Sequence, residues 1–366
     1  MSKKYLLFID SLGSGGAQNQ VVQIAKGLKS KKEEVLVVYY HELLFYAPIL
    51  DKSKVRHILI NKNKIGYVKL IKSLKRLMNK EQITHVISFL EGPNFYMSIV
   101  KFLMPLSDFI LVVSERSRTP KLSKFSKRFV IKQLIYFISS KIMTNSYHEK
   151  DNLLDQFMIN KKKIFVIYNI VDLDKFKPRD VKKKQNTILC IGSVSSMKNG
   201  LLVVKALDDY NKTQSFSLKV DWYGEHALHI KERRAYSEQM YDLIKKCNLN
   251  DFWNWYKPIP EIYKEYSKYK CLILASTTEG LPNVVCEALS SGIPVIISKG
   301  LDHSKLVDKD RGYLFNPLNK GDLKNKLVNF YQLTDLEQNV LGINARKYAI
   351  ENFSSEKNIN KLIHIC

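Results

Sequence analysis

The chain has 366 residues, 45% apolar and 26% charged, with 15 Gly and 10 Pro. That composition excludes disorder, collagen-like repeats and low complexity, and the length suits two domains. Lys and Arg number 59 against 35 Asp and Glu, leaving +24, split as 31 against 14 over residues 1–178 and 28 against 21 over residues 179–366. So basic a front half faces something anionic, and nucleic acid, an acidic membrane surface or a phosphorylated ligand would each satisfy it; a merely solvated basic surface is the plain alternative.

In chain order, Tyr5 to Asp10 is a short apolar run, followed by a glycine-rich turn and then Val21, Ala25 and Leu28 at helical spacing, which reads as strand, loop, helix. Further apolar runs at Val35 to Tyr40, His57 to Ile60, His85 to Phe89, Phe109 to Ser114, Lys141 to Thr144 and Ile164 to Tyr168 are mostly separated by helix-length segments. Such alternation predicts a parallel sheet with helices on both faces. Between Asp172 and Asn186 the pattern lapses into Pro178 and a Lys-rich polar run, which reads as an exposed linker. A second series follows, with strands expected at Thr187 to Ile191, Leu218 to Tyr223, Cys271 to Ala275 and Val295 to Ser298. The expected division is 1–178, 179–350 and a tail, 351–366, returning toward the first domain, the chain reading as helix from Lys320. Two doubly wound domains facing each other across a cleft would bind ligands at the carboxyl ends of their strands.

The five cysteines, Cys190, Cys247, Cys271, Cys286 and Cys366, lie in the second half without Cys-x-x-Cys spacing, which fits a reducing compartment. The run after Met-Ser-Lys-Lys is too short for a signal-peptide core. Phe102 to Val113 and Phe129 to Ile138 are broken by Asp108 and Lys132, short of a membrane span. The chain is therefore expected in the cytoplasm, touching a membrane at most from one side.

Two motifs carry chemistry. Gly13-Ser-Gly-Gly-Ala17 follows the first strand and opens the first helix, so Gly15 and Gly16 could let backbone amides approach a phosphate; a plain tight turn is the alternative. It departs from the dinucleotide pattern at Gln18. The second motif, Thr277 to Leu289, follows a strand and contains Gly-Leu-Pro, with Pro282 suited to the first turn of a helix. Glu279 then sits in the loop and Glu287 in the helix, flanking an N-terminus where an anion could rest near Gly280, Leu281 and the amides of Asn283 and Val284, with hydroxyl-rich parts near the carboxylates. Spacing alone proves little, since Glu34 and Glu42 share it; the surrounding residues carry the weight.

With these blocks the sequence resembles the retaining glycosyltransferases of family 4, which have the two-domain GT-B architecture. The matching segments run from Gly15 to Ala17 through Ser114-Glu-Arg116, Thr144-Asn-Ser146, Val166 to Asp172, Ile191-Gly192 with Lys198, and Trp222-Tyr-Gly224 to the Glu279 to Pro294 block. The resemblance implies that Glu279 contacts hydroxyls of a donor sugar, Glu287 the ribose of its nucleotide, and Lys198 the diphosphate, with no metal or other cofactor and with retention of anomeric configuration. Glu279 and Lys198 are thus the expected catalytic residues. Where relatives often carry Arg after the glycine of the strand at Thr187 to Ile191, this chain has Ser193. Where many carry His near an N-terminal strand end, it reads Ser88 to Asn94, leaving Glu91 and Asn94 as acceptor-side candidates beside Glu115 and Arg116.

Asp172-Leu-Asp174 and Asp308-Lys-Asp310 match a short metal-binding tripeptide, but Asp172 reads as a loop brace, and the histidines His41, His226, His229, His303 and His364 show no ligand spacing. The segment Lys124 to Lys141 reads either as a basic amphipathic helix at a membrane surface or as core packing. The resulting expectation is a cytoplasmic, peripheral-membrane glycosyltransferase. It would move a hexose or N-acetylhexosamine from a UDP-sugar to a lipid-linked glycan in surface polysaccharide synthesis. The alternatives are a sugar-nucleotide epimerase or a catalytically silent sugar-nucleotide-binding scaffold. No nucleic-acid signature accompanies the charge.

Overall fold

The computed structural model describes residues 3–300, 303–308, 310–319 and 321–366. The chain divides into unit 1, Met1–Ile170 with Ser355–Cys366, and unit 2, Val171–Ser354.

Unit 1 alternates β1 (Lys4–Ile9), α1 (Gly16–Ser30), β2 (Glu34–Tyr39), α2 (Ala47–Lys52), β3 (Arg56–Leu59), α3 (Lys62–Glu81), β4 (His85–Phe89), α4 (Glu91–Phe102), β5 (Ile110–Glu115), α5 (Lys127–Ile138), β6 (Lys141–Thr144), α6 (Tyr147–Gln156) and β7 (Ile164–Val166). Its strands pair in parallel in the order β3-β2-β1-β4-β5-β6-β7. A parallel sheet buried on both faces demands apolar side chains at successive positions, and β1 supplies them. Tyr5, Leu7 and Ile9 enter one core with side chains of α1, whereas Leu6 and Phe8 enter another with side chains of α3 and α4.

Unit 2 runs β8 (Thr187–Ile191), α7 (Gly200–Thr213), β9 (Lys219–Tyr223), α8 (Lys231–Lys246), β10 (Trp253–Tyr256), β11 (Leu272–Leu274), α9 (Asn283–Ser290), β12 (Val295–Ser298), α10 (His303–Leu306), β13 (Gly312–Phe315), α11 (Asp322–Tyr331) and α12 (Asp335–Phe353). Its strands, also parallel, lie in the order β10-β9-β8-β11-β12-β13. Two of them, β10 and β13, escape the sequence reading: each is four residues long at a sheet edge, and β10 is an aromatic run interrupted by Asn254.

The final helix α13 (Ser355–Ile365) belongs to unit 1, where Ile359 and Leu362 are buried in the α1-side core. The helix expected from Lys320 onward is three helices. Thr334 and Glu337 form a capping box that starts α12, and the chain turns at Ser354 before α13; Lys320 itself lies outside the described residues.

The segment read as an exposed linker is largely exposed but is tied at several points to unit 2, and the division falls at residue 170 rather than 178. Arg346 donates to the carbonyls of Leu173 and Phe176, the Phe176 ring meets Tyr266 edge-on, the Arg179 amide donates to Ser267, and Lys184 reaches Asp221. Among the described residues no helix is long and apolar enough to cross a membrane.

Each sheet reverses its strand order once, between β1 and β4 in unit 1 and between β8 and β11 in unit 2. Loops leaving adjacent strands on opposite sides of such a point part from each other and open a crevice at the carboxyl edge, the usual ligand site of this architecture.

Candidate active site

In unit 2 the loops after β8 and β11 are tied together over that crevice. The Thr277 amide donates to the Met197 carbonyl at 2.8 Å, and a short helical turn, Ser196–Lys198, brings Lys198 alongside the second loop. Lys198 Nζ lies 2.5 Å from Glu279 Oε1, which also accepts from Ser276 Oγ at 2.9 Å, and both members of the ion pair are about one-seventh exposed, each side chain at 15%. The approach depends on two glycines. Gly192 has φ +148, and the Lys198 side chain runs across it; a Cβ on Gly224 would fall 1.8 Å from the Gly192 carbonyl oxygen, which accepts from the Trp222 indole. Here a cation and a carboxylate are paired in a largely enclosed position, an arrangement in which charge is felt more strongly than in water.

The helix α9 starts beside this pair. Pro282 is the residue before the first helical one, not in the first turn as its identity suggested, and its carbonyl accepts from Val285 and Cys286. Asn283 and Val284 therefore form the tip, with Gly280 and Leu281 leading into it and no acidic residue in the first turn to neutralise its positive end. Glu287, a turn further on, is half-buried and accepts from Tyr266 Oη at 2.7 Å. Burial pushes its carboxyl up to about 7, against the hydrogen bond from Tyr266, which favours the ionised form. Ser276 and Tyr266 were not found from the sequence. Ser276 lies three residues before Glu279 in an unremarkable loop, and Tyr266 lies 21 residues before Glu287, where no spacing rule connects them.

In unit 1 the turn at Gly13 to Gly16 follows β1, with Gly15 capping α1 in extended conformation and Gly15 and Gly16 both exposed. Across the switch point, Leu90, between β4 and α4, has φ +77 and ψ 161, a conformation that costs a non-glycine residue roughly 1–3 kcal/mol and tends to mark functional sites. Next comes Glu91, gripped by Arg128 through two bonds of 3.0 and 2.6 Å, which hold its carboxyl below the usual range against partial burial.

The other acceptor-side candidates act as braces. Asn94 is fully buried, accepting from Ser88 Oγ at 2.6 Å and donating to the Ser114 carbonyl, and so ties β4 to β5. Glu115 is also enclosed, bonded to Lys132 Nζ and Tyr136 Oη at 2.9 Å each. Both are thus buried side chains that tie the strand ends together. Arg116, half-buried, donates to Asn169 at 2.6 Å.

Asp172 accepts from the Lys175 amide, the loop-bracing role expected of it. Asp308 and Asp310 each pair with Arg311, and Lys309 between them lies outside the described residues, as does the side chain of His303. His226 stacks on Tyr241.

Residues 14–175 match the family described as Glycosyltransferase Family 4, and residues 172–348 match Glycosyl transferases group 1. Among curated relatives, an N-acetylgalactosamine-N,N'-diacetylbacillosaminyl-diphospho-undecaprenol 4-alpha-N-acetylgalactosaminyltransferase of Campylobacter jejuni is 26% identical over 80% of each chain. A UDP-Gal:alpha-D-GlcNAc-diphosphoundecaprenol alpha-1,3-galactosyltransferase of Escherichia coli is 27% identical over 58% of this chain and 56% of its own. Among solved structures, a glycosyltransferase of Rickettsia africae superposes with a TM-score of 0.85 at 19% identity, covering 100% of this chain and 98% of that one. Anabaena HepE in complex with UDP gives 0.83 at 15% identity, covering 99% and 98%. Two parallel α/β units, a crevice bearing the Lys198 and Glu279 pair, and family matches that run from residue 14 to residue 348 lead to one conclusion: the chain belongs to the family 4 glycosyltransferases and has the GT-B fold.

Proposed function

We propose that this glycosyltransferase moves a hexose or N-acetylhexosamine from a UDP-sugar to a lipid-linked glycan during synthesis of a bacterial surface polysaccharide, with retention of configuration and without a metal. The observation that carries the donor half is the Lys198 and Glu279 pair beside the tip of α9. The acceptor half is supported by relatives whose names specify undecaprenyl-diphosphate-linked sugars.

As the donor enters, its diphosphate takes Lys198 from Glu279 and rests on the tip of α9, and Glu279 turns to the sugar hydroxyls. The ribose hydroxyls donate to Glu287. As the glycosidic bond breaks, negative charge gathers on the leaving nucleotide, so a cation and amide dipoles already aimed at it stabilise the transition state more than the ground state. The acceptor hydroxyl attacks on the face the nucleotide leaves, forming the new glycosidic bond as the old one breaks and passing its proton to the departing diphosphate oxygen, without a covalent sugar on Glu279. In unit 1, Gly15 and Gly16 permit close backbone approach to an acceptor, and Glu91 and Arg116 are half-buried charged groups next to strand ends. Because the acceptor resides in a bilayer, the chain works at the cytoplasmic face of the membrane.

The test incubates purified chain with UDP-sugars and a membrane lipid extract, following free UDP and labelled lipid product. UDP release that requires the extract supports transfer. Sugar isomerisation without acceptor would identify an epimerase, donor binding without turnover a silent scaffold, and the absence of both binding and release rejects the reading.

A further inference from the structure

Helix α5 buries one charge and exposes several apolar side chains. Lys132 is buried, its side chain 3% exposed, and pairs with Glu115, while Arg128, one turn earlier, grips Glu91. Ile135 and Tyr136 of the same helix are buried in the core. The opposite arc, about 120° wide at 100° per residue, presents Val130, Ile131, Leu134 and Phe137 to solvent, with Leu134 at 53% and Phe137 at 77% exposure. An ordinary surface helix turns its apolar stripe inward and its charges outward. In α5 the Glu115 carboxylate holds Lys132 inside, Glu91 pairs with Arg128 at the surface, and the apolar arc is left outside.

The patch extends beyond the helix. Phe125, just before α5, is 98% exposed, and Met158, whose backbone exchanges two hydrogen bonds with Gln133, is 91% exposed. Lys163 anchors the following Lys161 to Lys163 run to α5 by donating to the Phe137 and Ser139 carbonyls. Exposed Lys121, Lys124, Lys127, Lys161 and Lys162 rim the apolar arc, and no Asp or Glu occurs from residue 116 to residue 148. Unit 1 as a whole holds 31 basic and 13 acidic residues, against 28 and 22 in unit 2.

We infer that the outer face of α5, with Phe125 and Met158, is an interfacial anchor that lies in the headgroup layer of an anionic bilayer. Protruding aromatic and aliphatic side chains need a fluid apolar phase rather than a shaped pocket, and the lysine rim needs negative charge at the same surface. A bilayer offers both, and choosing it over an acidic protein rests on the proposed lipid-linked acceptor. The ion pairs of Arg128 and Lys132 then serve to keep the anchoring helix against the ends of β4 and β5, so that unit 1 meets the membrane in one fixed orientation.

The test is sedimentation of the full chain with vesicles of phosphatidylcholine containing roughly one-third phosphatidylglycerol, near the anionic charge at which each nearby lysine adds measurably to binding. The intact chain should bind these vesicles, bind pure phosphatidylcholine far less, and release at high salt. The double variant Leu134→Ser, Phe137→Ser should lose at least about tenfold in partition coefficient, as removal of two inserted side chains requires, and Lys124→Glu with Lys127→Glu should lose a similar factor. All four positions are exposed, so thermal unfolding should be unchanged. Equal binding by the serine variant, no binding by the intact chain, or a monomer–dimer shift in the variant without vesicle binding would each overturn the inference. UDP release with a soluble sugar-diphosphate acceptor is followed in parallel: vesicle binding without turnover removes the proposed function and keeps the anchor, and turnover without vesicle binding does the reverse.

Discussion

Replacing Glu287 by Gln should stabilise the ligand-free protein in alkaline solution while weakening its hold on nucleotide. The carboxyl is raised by burial from 4.5 to about 7, so from about pH 4.5 to pH 7 the folded state keeps a proton that the unfolded state has lost. Stability contributed at this site is therefore full at low pH, falls as pH rises through that window, and is level above it. At 1.36 kcal/mol per pH unit the gap amounts to about 3 kcal/mol. Gln keeps the shape, accepts the Tyr266 hydroxyl and carries no charge, so the variant should lack this fall. Urea unfolding of both proteins between pH 5 and pH 8 should show the difference in midpoint growing in the variant's favour as pH rises. Calorimetric titration of UDP should show weaker binding to the variant, and proton release on binding near pH 7 by the native protein alone, because ribose hydroxyls favour the ionised carboxylate. A stability difference that stays constant with pH would refute the assigned burial of Glu287, and unchanged proton release in the variant would refute its contact with ribose.

Glu279→Gln should lower kcat for sugar transfer by about 10²-fold or more, the usual scale for losing a transition-state contact, with UDP affinity nearly unchanged; equal activity would remove Glu279 from the sugar-binding role. Lys132→Met leaves Glu115 buried with the Tyr136 hydroxyl but no cation, and should destabilise unit 1 by about 3–5 kcal/mol, whereas the double change with Glu115→Gln should recover much of that. Chemical unfolding of the single and double variants measures this, and an additive pair of losses would show that the ion pair does not act as a unit.

Much of the framework was legible because the physics is local. Seven apolar runs in the first half became the seven strands of unit 1, since a strand buried on both faces must be apolar throughout, and the Gly-Leu-Pro ahead of α9 announced a loop entering a helix. What stayed hidden depends on partners far along the chain. The segment around Lys132 is apolar nearly all round, so periodicity could not tell which face turns inward; that was decided by Glu91 and Glu115, 37 and 17 residues from their partners. Asn94 and Glu115 looked available because polar residues at strand ends usually are, and their enclosure follows from Ser88, Ser114 and Tyr136 closing around them. The attachment of the linker to unit 2 was hidden for a similar reason. Its lysine-rich composition fits solvent, yet Arg346, over 160 residues later, fastens its start to unit 2.

The return of α13 to unit 1 has a bearing on how the protein is made. Ile359 lies against Gly27, where a Cβ would fall 2.4 Å from its Cγ1, Lys3 Nζ donates to the Ile363 carbonyl, and the His85 ring meets the Cys366 carbonyl at 3.1 Å. The first unit begun on the ribosome is thus the last one finished, because its closing wedge emerges only after all of unit 2 has been translated. Nascent unit 1 is expected to wait with an apolar slot open beside α1, a state in which chaperone capture and proteolysis compete with completion. The same slot makes the two units inseparable as genetic pieces: expressing residues 1–170 without the distant wedge should yield a loosened, aggregation-prone fragment, and supplying residues 355–366 in trans should tighten it.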